Sequence, residues 1–469
     1  MNRKYIKGAV LLGVTLSIGF TSCQVVNKYK SPEVDSQDLF REENSTDTTT
    51  IANIPWNEYF KDPILQSLIE EGLDKNYDLL IASTRIQQAE AGLSMARAAY
   101  FPDVALVGQV QQTRTSSDKG KNQDIFGYHS TNIQLGIAAT WEADIWGKLN
   151  RKSRAAYAQF LGTHAYRNLV QTSLISNIAT SYYSLMALDE QLKITKETVE
   201  LLKVNTETTE AMKEAGLLNG AAVEQTRALL YSTQVTIPDL EMQINQLENN
   251  ICVLLGRKPG YVARTSIDTQ TVPAELEHGI PVQMLAKRPD VQQAELAFRS
   301  AFELTNAAQA SFYPSITLGT GSMIGYSSSA LAGFFRPENL LANIIGGLTQ
   351  PIFARKQLIG NLRIAKAQQQ EALYTFEESV LSASAEVSNI VFSYKASLSK
   401  NEIREKQVQA LSTSVEFTQE LLKAGEANYI EVLNAEQNSL NAQLGQVSDK
   451  LEQLQYSVSL YRALGGGIE

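Results

Sequence analysis

Residues 148–215, KLNRKSRAAYAQFLGTHAYRNLVQTSLISNIATSYYSLMALDEQLKITKETVELLKVNTETTEAMKEA, run for 68 positions with no proline and a single glycine, Gly162. At 1.5 Å per residue, a helix of that length spans roughly 100 Å, more than the core of an ordinary domain. Its second half repeats in sevens. Ile178, Leu185, Leu192 and Val199 fall on one seam position, with Leu188 and Leu202 on the other and Ser181 and Thr195 as weak points. A sustained seven-residue repeat predicts a left-handed supercoil against other helices. A second such stretch follows: residues 361–424 contain no glycine or proline and place Leu373, Val380, Val387, Tyr394, Val408, Val415 and Leu422 on one register.

Around each rod the chain tells the same story twice. A helical pattern from Pro63 to Tyr100, with Leu65, Leu68, Leu73, Leu80, Ile86 and Leu93, stops at Phe101-Pro102. Two alternating strands follow, 103–113 and 132–142, joined by a long polar connection, and then comes the rod. After Gly216 a further helix runs from Ala221 to Leu255 with Pro238 inside it, a residue expected to kink it or loosen a turn. Beyond a connection at 261–281 the order restarts: a helix from Asp290 to Phe312, strands 315–326 and 340–350, a long helix 355–424 and a last helix. Asp78 matches Asp290, Pro102 matches Pro314, and Asp144-Ile145-Trp146 matches Pro351-Ile352-Phe353. Ala215-Gly216 matches Ala424-Gly425, Val223 matches Val432, and Leu255-Gly256 matches Leu464-Gly465. The chain is a tandem duplication of a helix-strand-strand-long helix-helix unit, with a first repeat at 61–260 and a second at 282–469. The helices at 63–98 and 221–255 together match the first rod in length, so two stacked short helices are expected to run beside one long one.

The 469 residues carry a net charge of -9, which argues against a nucleic-acid partner. Arg3, Lys4 and Lys7 precede an apolar run, Gly8 to Phe20, of signal-peptide length. The signal is assigned to 1–22, and a polar tether to 23–60. Thr21-Ser22-Cys23 resembles a lipobox, which would make Cys23 the acylated N-terminus carrying diacylglycerol and N-acyl lipid; an ordinary signal peptide is the alternative. Cys252 lies in an apolar helical run and is expected to be a buried free thiol, with a Cys23–Cys252 disulfide left open.

The strands contain almost no charge, and aromatics stand at their ends: Tyr100, Phe101, Phe126, Tyr128, Trp141, Phe312, Tyr313, Phe334, Phe335 and Phe353. Alternating strands of about ten residues between aromatic belts suit a transmembrane barrel. Four strands cannot close one, and lipid tolerates no open edge, so several chains must pool strands; three copies give twelve, enough to leave a lumen. A soluble antiparallel sheet beside a helical bundle is the bland alternative.

Six segments then carry a family resemblance: Ala139 to Gly147 (ATWEADIWG), Thr236 to Glu241 (TIPDLE), Leu254 to Gly260 (LLGRKPG), Arg288 to Val291 (RPDV), Phe312 to Ile316 (FYPSI) and Pro351 to Phe353 (PIF). The sequence resembles the outer membrane efflux proteins of the TolC type, most closely the lipoprotein branch serving RND-type multidrug pumps. The resemblance implies a mainly α fold with a transmembrane β-barrel portion, namely a homotrimer with a twelve-stranded barrel among outer membrane lipids and an α-helical periplasmic tunnel. It also implies a periplasmic adaptor and an inner membrane RND-type pump as partners. The turns at Gly216-Leu217 and Gly425-Glu426 would be the adaptor-contacting tips. Just beyond the second, Ile430 matches a hydrophobic gate ring and Glu431 an acidic one, while Asn434 stands where aspartate is common.

No catalytic constellation, cofactor site or metal site is read here. His129, His164 and His278 are isolated, and Gly256-Arg-Lys-Pro-Gly260 lacks phosphate-loop spacing and reads as a helix C-terminal turn. The expected function is a passive, non-enzymatic exit duct for small molecules from the periplasm. The alternatives are an exit duct for a type I polypeptide secretion system and a lipid-anchored periplasmic coiled-coil scaffold.

Overall fold

The computed structural model describes residues 27–32, 54–115, 128–271 and 286–468. The signal segment, Cys23, most of the tether, the connection 116–127, His278 and Pro281 lie outside the described residues. The described residues fall into two compact units, one of 27–32, 87–115, 128–162 and 295–375, the other of 54–86, 163–271, 286–294 and 376–468.

The elements are α1 (Pro63–Lys75), α2 (Tyr77–Ala98), β1 (Asp103–Thr115), β2 (Tyr128–Ala143), α3 (Lys148–Glu214), α4 (Gly220–Leu254), α5 (Pro289–Ala310), β3 (Ser315–Ser328), β4 (Leu340–Thr349), α6 (Gln357–Ala424) and α7 (Tyr429–Ala463). Both rods are single helices, of 67 and 68 residues.

Two expectations change. The single helix expected over 63–98 is two helices, because Asn76 leaves helical geometry (φ -62°, ψ 127°). Its N–H still closes α1 on the Gly72 carbonyl, while its side-chain oxygen accepts from Leu79 N at 3.1 Å and starts α2. In contrast, Pro238 does not interrupt α4, which is continuous from Gly220 to Leu254. Gln234 and Pro238 are both on its exposed side, where water can take the carbonyl that proline leaves without a donor.

The first unit contains one antiparallel sheet in the order β1-β2-β3-β4. β1 and β2 pair without a shift, whereas β3 fits two extra residues between Thr320 and Ile324 against both neighbours. Two devices absorb that bulge. Thr320 Oγ1 accepts from Ala139 N at 3.0 Å, and Gly136 and Gly325 approach so closely that a Cβ on Gly325 would lie 2.3 Å from the Gly136 Cα. α3 starts behind this sheet: Leu149 N and Asn150 N donate to the two carboxylate oxygens of Asp144, each at 2.8 Å. Deeper in the unit, Arg151 of α3 pairs at 2.7 Å with Glu303 of α5, both buried.

Residues 27–32, read from sequence as part of a tether or loosely docked segment, are docked on α5. The Tyr29 ring packs against Phe298 and Phe302 with centroids 6.0 and 5.6 Å away, and Ser31 Oγ donates to Glu295 at 2.6 Å.

The second unit holds the main core. Ile175, Ile178, Tyr182, Leu185 and Met186 of α3 meet Leu65 and Ile69 of α1, Ile251 of α4, Val387 of α6, and Leu454 and Val458 of α7. The heptad reading of α3 is visible here: Ile178, Leu185, Val199 and Leu202 are buried, and the weak seam residue Thr195 is buried with its hydroxyl on the Gln191 carbonyl at 2.7 Å. Cys252 is buried and free, its thiol donating to the Gly260 carbonyl at 3.3 Å. The duplication is repeated in detail at the helix junctions. Asn76 Nδ2 donates to the Leu254 carbonyl and Arg288 Nη1 to the Ala463 carbonyl, both at 2.8 Å, so the entry to each repeat's helix clasps the end of its returning helix.

Candidate functional site

Strand pairing sorts the sheet residues onto two faces. On one face, Val104, Leu106 and Val110 lie opposite Ala139, Ile137 and Ile133. The face continues where Leu135, Ile137 and Trp141 oppose Tyr326, Ile324 and Leu318, and where Ile316, Thr320, Ile324 and Tyr326 oppose Leu348, Ile344, Ala342 and Leu340. The Thr320 hydroxyl on this face is committed to the Ala139 backbone. The other face is mostly small and polar: Gln109, Gln111, Asn132, Gln134, Thr140, Thr317, Gly319 and Ser327. Leu106, Val110, Ile137, Leu318, Ile344 and Leu348 are exposed in the chain on its own. In water each would forgo about 1.5–3 kcal/mol of burial, so this face needs an apolar medium.

Aromatics stand at the base of the sheet, where Trp146 joins the expected Trp141 and Tyr313. Trp141 Nε1 donates to the Tyr100 carbonyl and Trp146 Nε1 to the Pro314 carbonyl, both at 2.8 Å, while Trp146 stacks on Tyr313 at 5.0 Å. No helix among the described residues is long and apolar enough to cross a membrane.

In the second unit, both rods end in the same six-residue cap. Gly216 N bonds the Lys213 carbonyl and Leu217 N the Met212 carbonyl; Gly425 N bonds the Leu422 carbonyl and Glu426 N the Leu421 carbonyl. Gly216 and Gly425 have φ of +76° and +74°, left-handed values that explain the residue type at both positions. Leu217 and Glu426 are exposed. Three residues past each glycine an asparagine caps the next helix: Asn219 Oδ1 accepts from Ala222 N at 3.0 Å, and Asn428 Oδ1 from Ile430 N at 3.3 Å.

On α7, Ile430, Glu431 and Asn434 share one exposed face with Gln437, Asn438 and Asn441. The opposite face is buried through Tyr429, Val432, Leu433, Glu436 and Ser439. Glu436 was missed in the sequence. Its carboxylate accepts from Asn205 Nδ2 of α3 and, at 3.1 Å, from Gln419 Nε2 of α6, so three long helices meet on one buried acid. Burial raises its pKa above the ordinary glutamate value, against the two amide hydrogen bonds. The Tyr429 phenol is raised by burial and, to a lesser degree, by the charge of Glu436. The signal was available: position 436 continues the spacing of 429, 432 and 433 that places residues inward.

His164 lies on α3 and His129 on β2 opposite Arg114, and among the described residues no three His, Cys, Asp or Glu side chains are grouped to hold a metal.

Comparison with known proteins agrees with this geometry. The model of the family described as outer membrane efflux protein matches residues 68–257 and 280–466, one match per repeat. The probable outer membrane lipoprotein SilC of Salmonella typhimurium is 29% identical over 415 residues, 88% of each chain. The toluene efflux pump outer membrane protein TtgC of Pseudomonas putida is 27% identical over 482 residues, covering 98% of this chain and 96% of its own. The solved open state of the Neisseria gonorrhoeae MtrE outer membrane channel superposes with a TM-score of 0.83 at 26% identity, covering 95% of this chain and 98% of MtrE. With both repeats matched and the fold shared end to end, this chain belongs to the outer membrane efflux protein family and is an outer membrane channel component of an efflux system.

Proposed function

We propose that three copies of this chain form a passive duct of a tripartite RND-type system, joining their sheets into a twelve-stranded barrel and docking a periplasmic adaptor at the turns Gly216-Leu217 and Gly425-Glu426. The observation that carries this reading is a four-stranded sheet with one continuous apolar face and an outer strand, β1 or β4, at each edge. Lipid satisfies the face and neighbouring copies satisfy the edges, since a bare edge in hydrocarbon leaves a row of N–H and C=O groups without partners. Exposed apolar positions on α4 (Tyr231, Val235, Met242 and Val253) and on α6 (Tyr374, Leu381, Phe392, Ile403 and Phe417) recur at steps of four, seven, eleven or fourteen, the spacing of helices that pack against further helices.

Cys23 carries the lipid, four residues before Asn27, whose carbonyl accepts from Asn306 Nδ2 of α5. Energy and substrate choice come from the pump; a relative named as a toluene efflux pump outer membrane protein supports a small-molecule cargo. At the tip, Ile430, Glu431 and Asn434 form the closing rings. Three Glu431 carboxylates near one axis repel one another and favour cations at the mouth.

Single-channel recording in planar bilayers tests the reading. The wild-type protein is expected to show a small, cation-preferring conductance that rises several-fold in Ile430→Ala and loses its cation preference in Glu431→Ala. Absence of any pore in all three proteins sinks the duct.

A further inference from the structure

The chain holds one seam between its repeats, β2 against β3, and the duplication says what the same seam looks like between copies. At the base of the internal seam Trp141 lies opposite Leu318, Glu142 opposite Thr317 and Ala143 opposite Ile316. Just below, Trp146 stacks on Tyr313 at 5.0 Å and its Nε1 donates to the Pro314 carbonyl. The residues following β2 recur after β4 at an offset of 207 (Trp146 to Phe353), and those preceding β3 recur before β1 at an offset of 212 (Tyr313 to Phe101, Pro314 to Pro102). The counterpart of the β2–β3 seam is therefore β4 against β1. Within one chain these are the two outer strands.

The aromatic pair of that counterpart seam is laid bare. Ile352 is 99% exposed, Phe353 83% and Phe101 74%, whereas Tyr313, covered by Trp146 in the internal seam, is 38% exposed.

We propose that adjacent copies join by β4 of one chain pairing antiparallel with β1 of the next, with Leu348 opposite the partner's Leu106, Thr349 opposite the partner's Ala105, and Phe353 stacked on the partner's Phe101. This rests on the oligomer of the preceding section and fixes its register. The register also places Gly346 opposite the partner's Gly108 and Ile344 opposite the partner's Val110, so the apolar face runs on across the joint. A slip of one residue would put polar side chains on that face. Because β1 carries no bulge, the joint ladder is unbroken where the internal one shifts. The Phe353 ring, unlike the Trp146 indole, carries no N–H to give the partner's Pro102 carbonyl, so the joint lacks one side-chain hydrogen bond that the internal seam makes.

Paired cysteines read the register. Leu348→Cys with Leu106→Cys, and Thr349→Cys with Ala105→Cys, are made in the full-length membrane protein and oxidised. The single variants set the baseline from Cys23 and Cys252. One of the two pairs is the closer, non-hydrogen-bonded kind and is expected to give covalent dimers and trimers on denaturing gels. Leu348→Cys with Val104→Cys or Gly108→Cys, shifted by two residues on the same face, is expected to stay at baseline. Cross-linking at a shifted pair, or at none in a protein that sizes as a trimer in detergent, overturns the register and leaves the oligomer standing. A protein that sizes as a monomer removes both. Independently, Phe353→Trp restores the missing donor and is expected to raise the temperature at which trimers dissociate in detergent, while Phe353→Ala lowers it; equal temperatures for all three proteins overturn the aromatic contact.

Discussion

The turns after the two rods share a backbone and differ in what hangs from it. Both rods end in a left-handed glycine, and both returning helices start three residues later at an asparagine cap. At the matched offset of 209, however, Gly220-Ala221-Ala222 of the first repeat stands where the second has Tyr429-Ile430-Glu431, and Arg227 stands where the second has Glu436. Arg227 makes surface ion pairs, to Glu224 at 2.6 Å and to Glu210, while Glu436 is buried between three helices. The first turn starts its returning helix on small side chains, Gly220, Ala221 and Ala222. The second carries an exposed apolar and acidic pair on one side of α7 and a buried phenol and acid on the other. Duplicated scaffolds diverge where one copy takes on a job the other lacks, and this divergence supports the proposed gate in the second repeat.

The largest effect that separates the turns is expected from Tyr429→Ala. The ring is buried at a position where the first repeat has glycine, and removing a buried aromatic costs about 3–5 kcal/mol. Limited proteolysis is expected to cut the second turn quickly in this variant and leave the first intact; equal cutting at both would erase the asymmetry. Next come Gly216→Ala and Gly425→Ala. A Cβ at either position meets nothing within 4 Å, so the cost is conformational alone, about 1–2 kcal/mol for a left-handed residue, and the same in both turns. Thermal melts of the two variants should therefore shift alike. A much larger shift for Gly425→Ala would mean that the turns are not equivalent in backbone after all.

Periodicity made the rods, the strands and the duplication legible, because each rests on a local rule: heptads on α3 and α6, alternation on β1 to β4, glycine after each rod. The four strands lie where alternation put them, within about three or four residues at their ends, a margin usual for element boundaries. What stayed hidden depends on partners far away in sequence. Asn76 reads as an ordinary helical residue until the Leu254 carbonyl, 178 positions on, gives its side chain something to bond. The docking of Tyr29 needs Phe298 and Phe302, and no pattern within 27–32 announces them. Glu436 falls between these cases. Its inward register was legible, but a charged residue on an inward face is more often an exposed flank than a buried acid, and only Asn205 and Gln419 decide the matter.

The smallest effect, and the one that reports on Glu436 itself, is a pH trend. Its folded pKa is raised by burial, so the folded tip holds a proton that the unfolded one releases at a lower pH. The stability from this group is fully present below the ordinary glutamate value and is lost as pH rises through the folded value. Asp449 has the opposite slope: burial pushes its pKa up, but Arg404 at 2.8 Å and Lys400 outweigh this and hold it below the ordinary aspartate value, so its contribution is lost on acidification. Glu436→Gln keeps the shape and the acceptor for Asn205 and Gln419 while fixing the group in its neutral form. Amide hydrogen exchange over residues 429–440 is expected to come closest to wild type at pH 4, below the ordinary glutamate value, and to become slower than wild type as pH rises toward 8. Comparison at each pH cancels both the intrinsic exchange rate and the Asp449 contribution. A difference that stays flat across that range, or grows toward acid, would mean that the Asn205 and Gln419 amides hold the buried acid at the junction of α3, α6 and α7 in its charged form, and α7 would then owe nothing to its protonation.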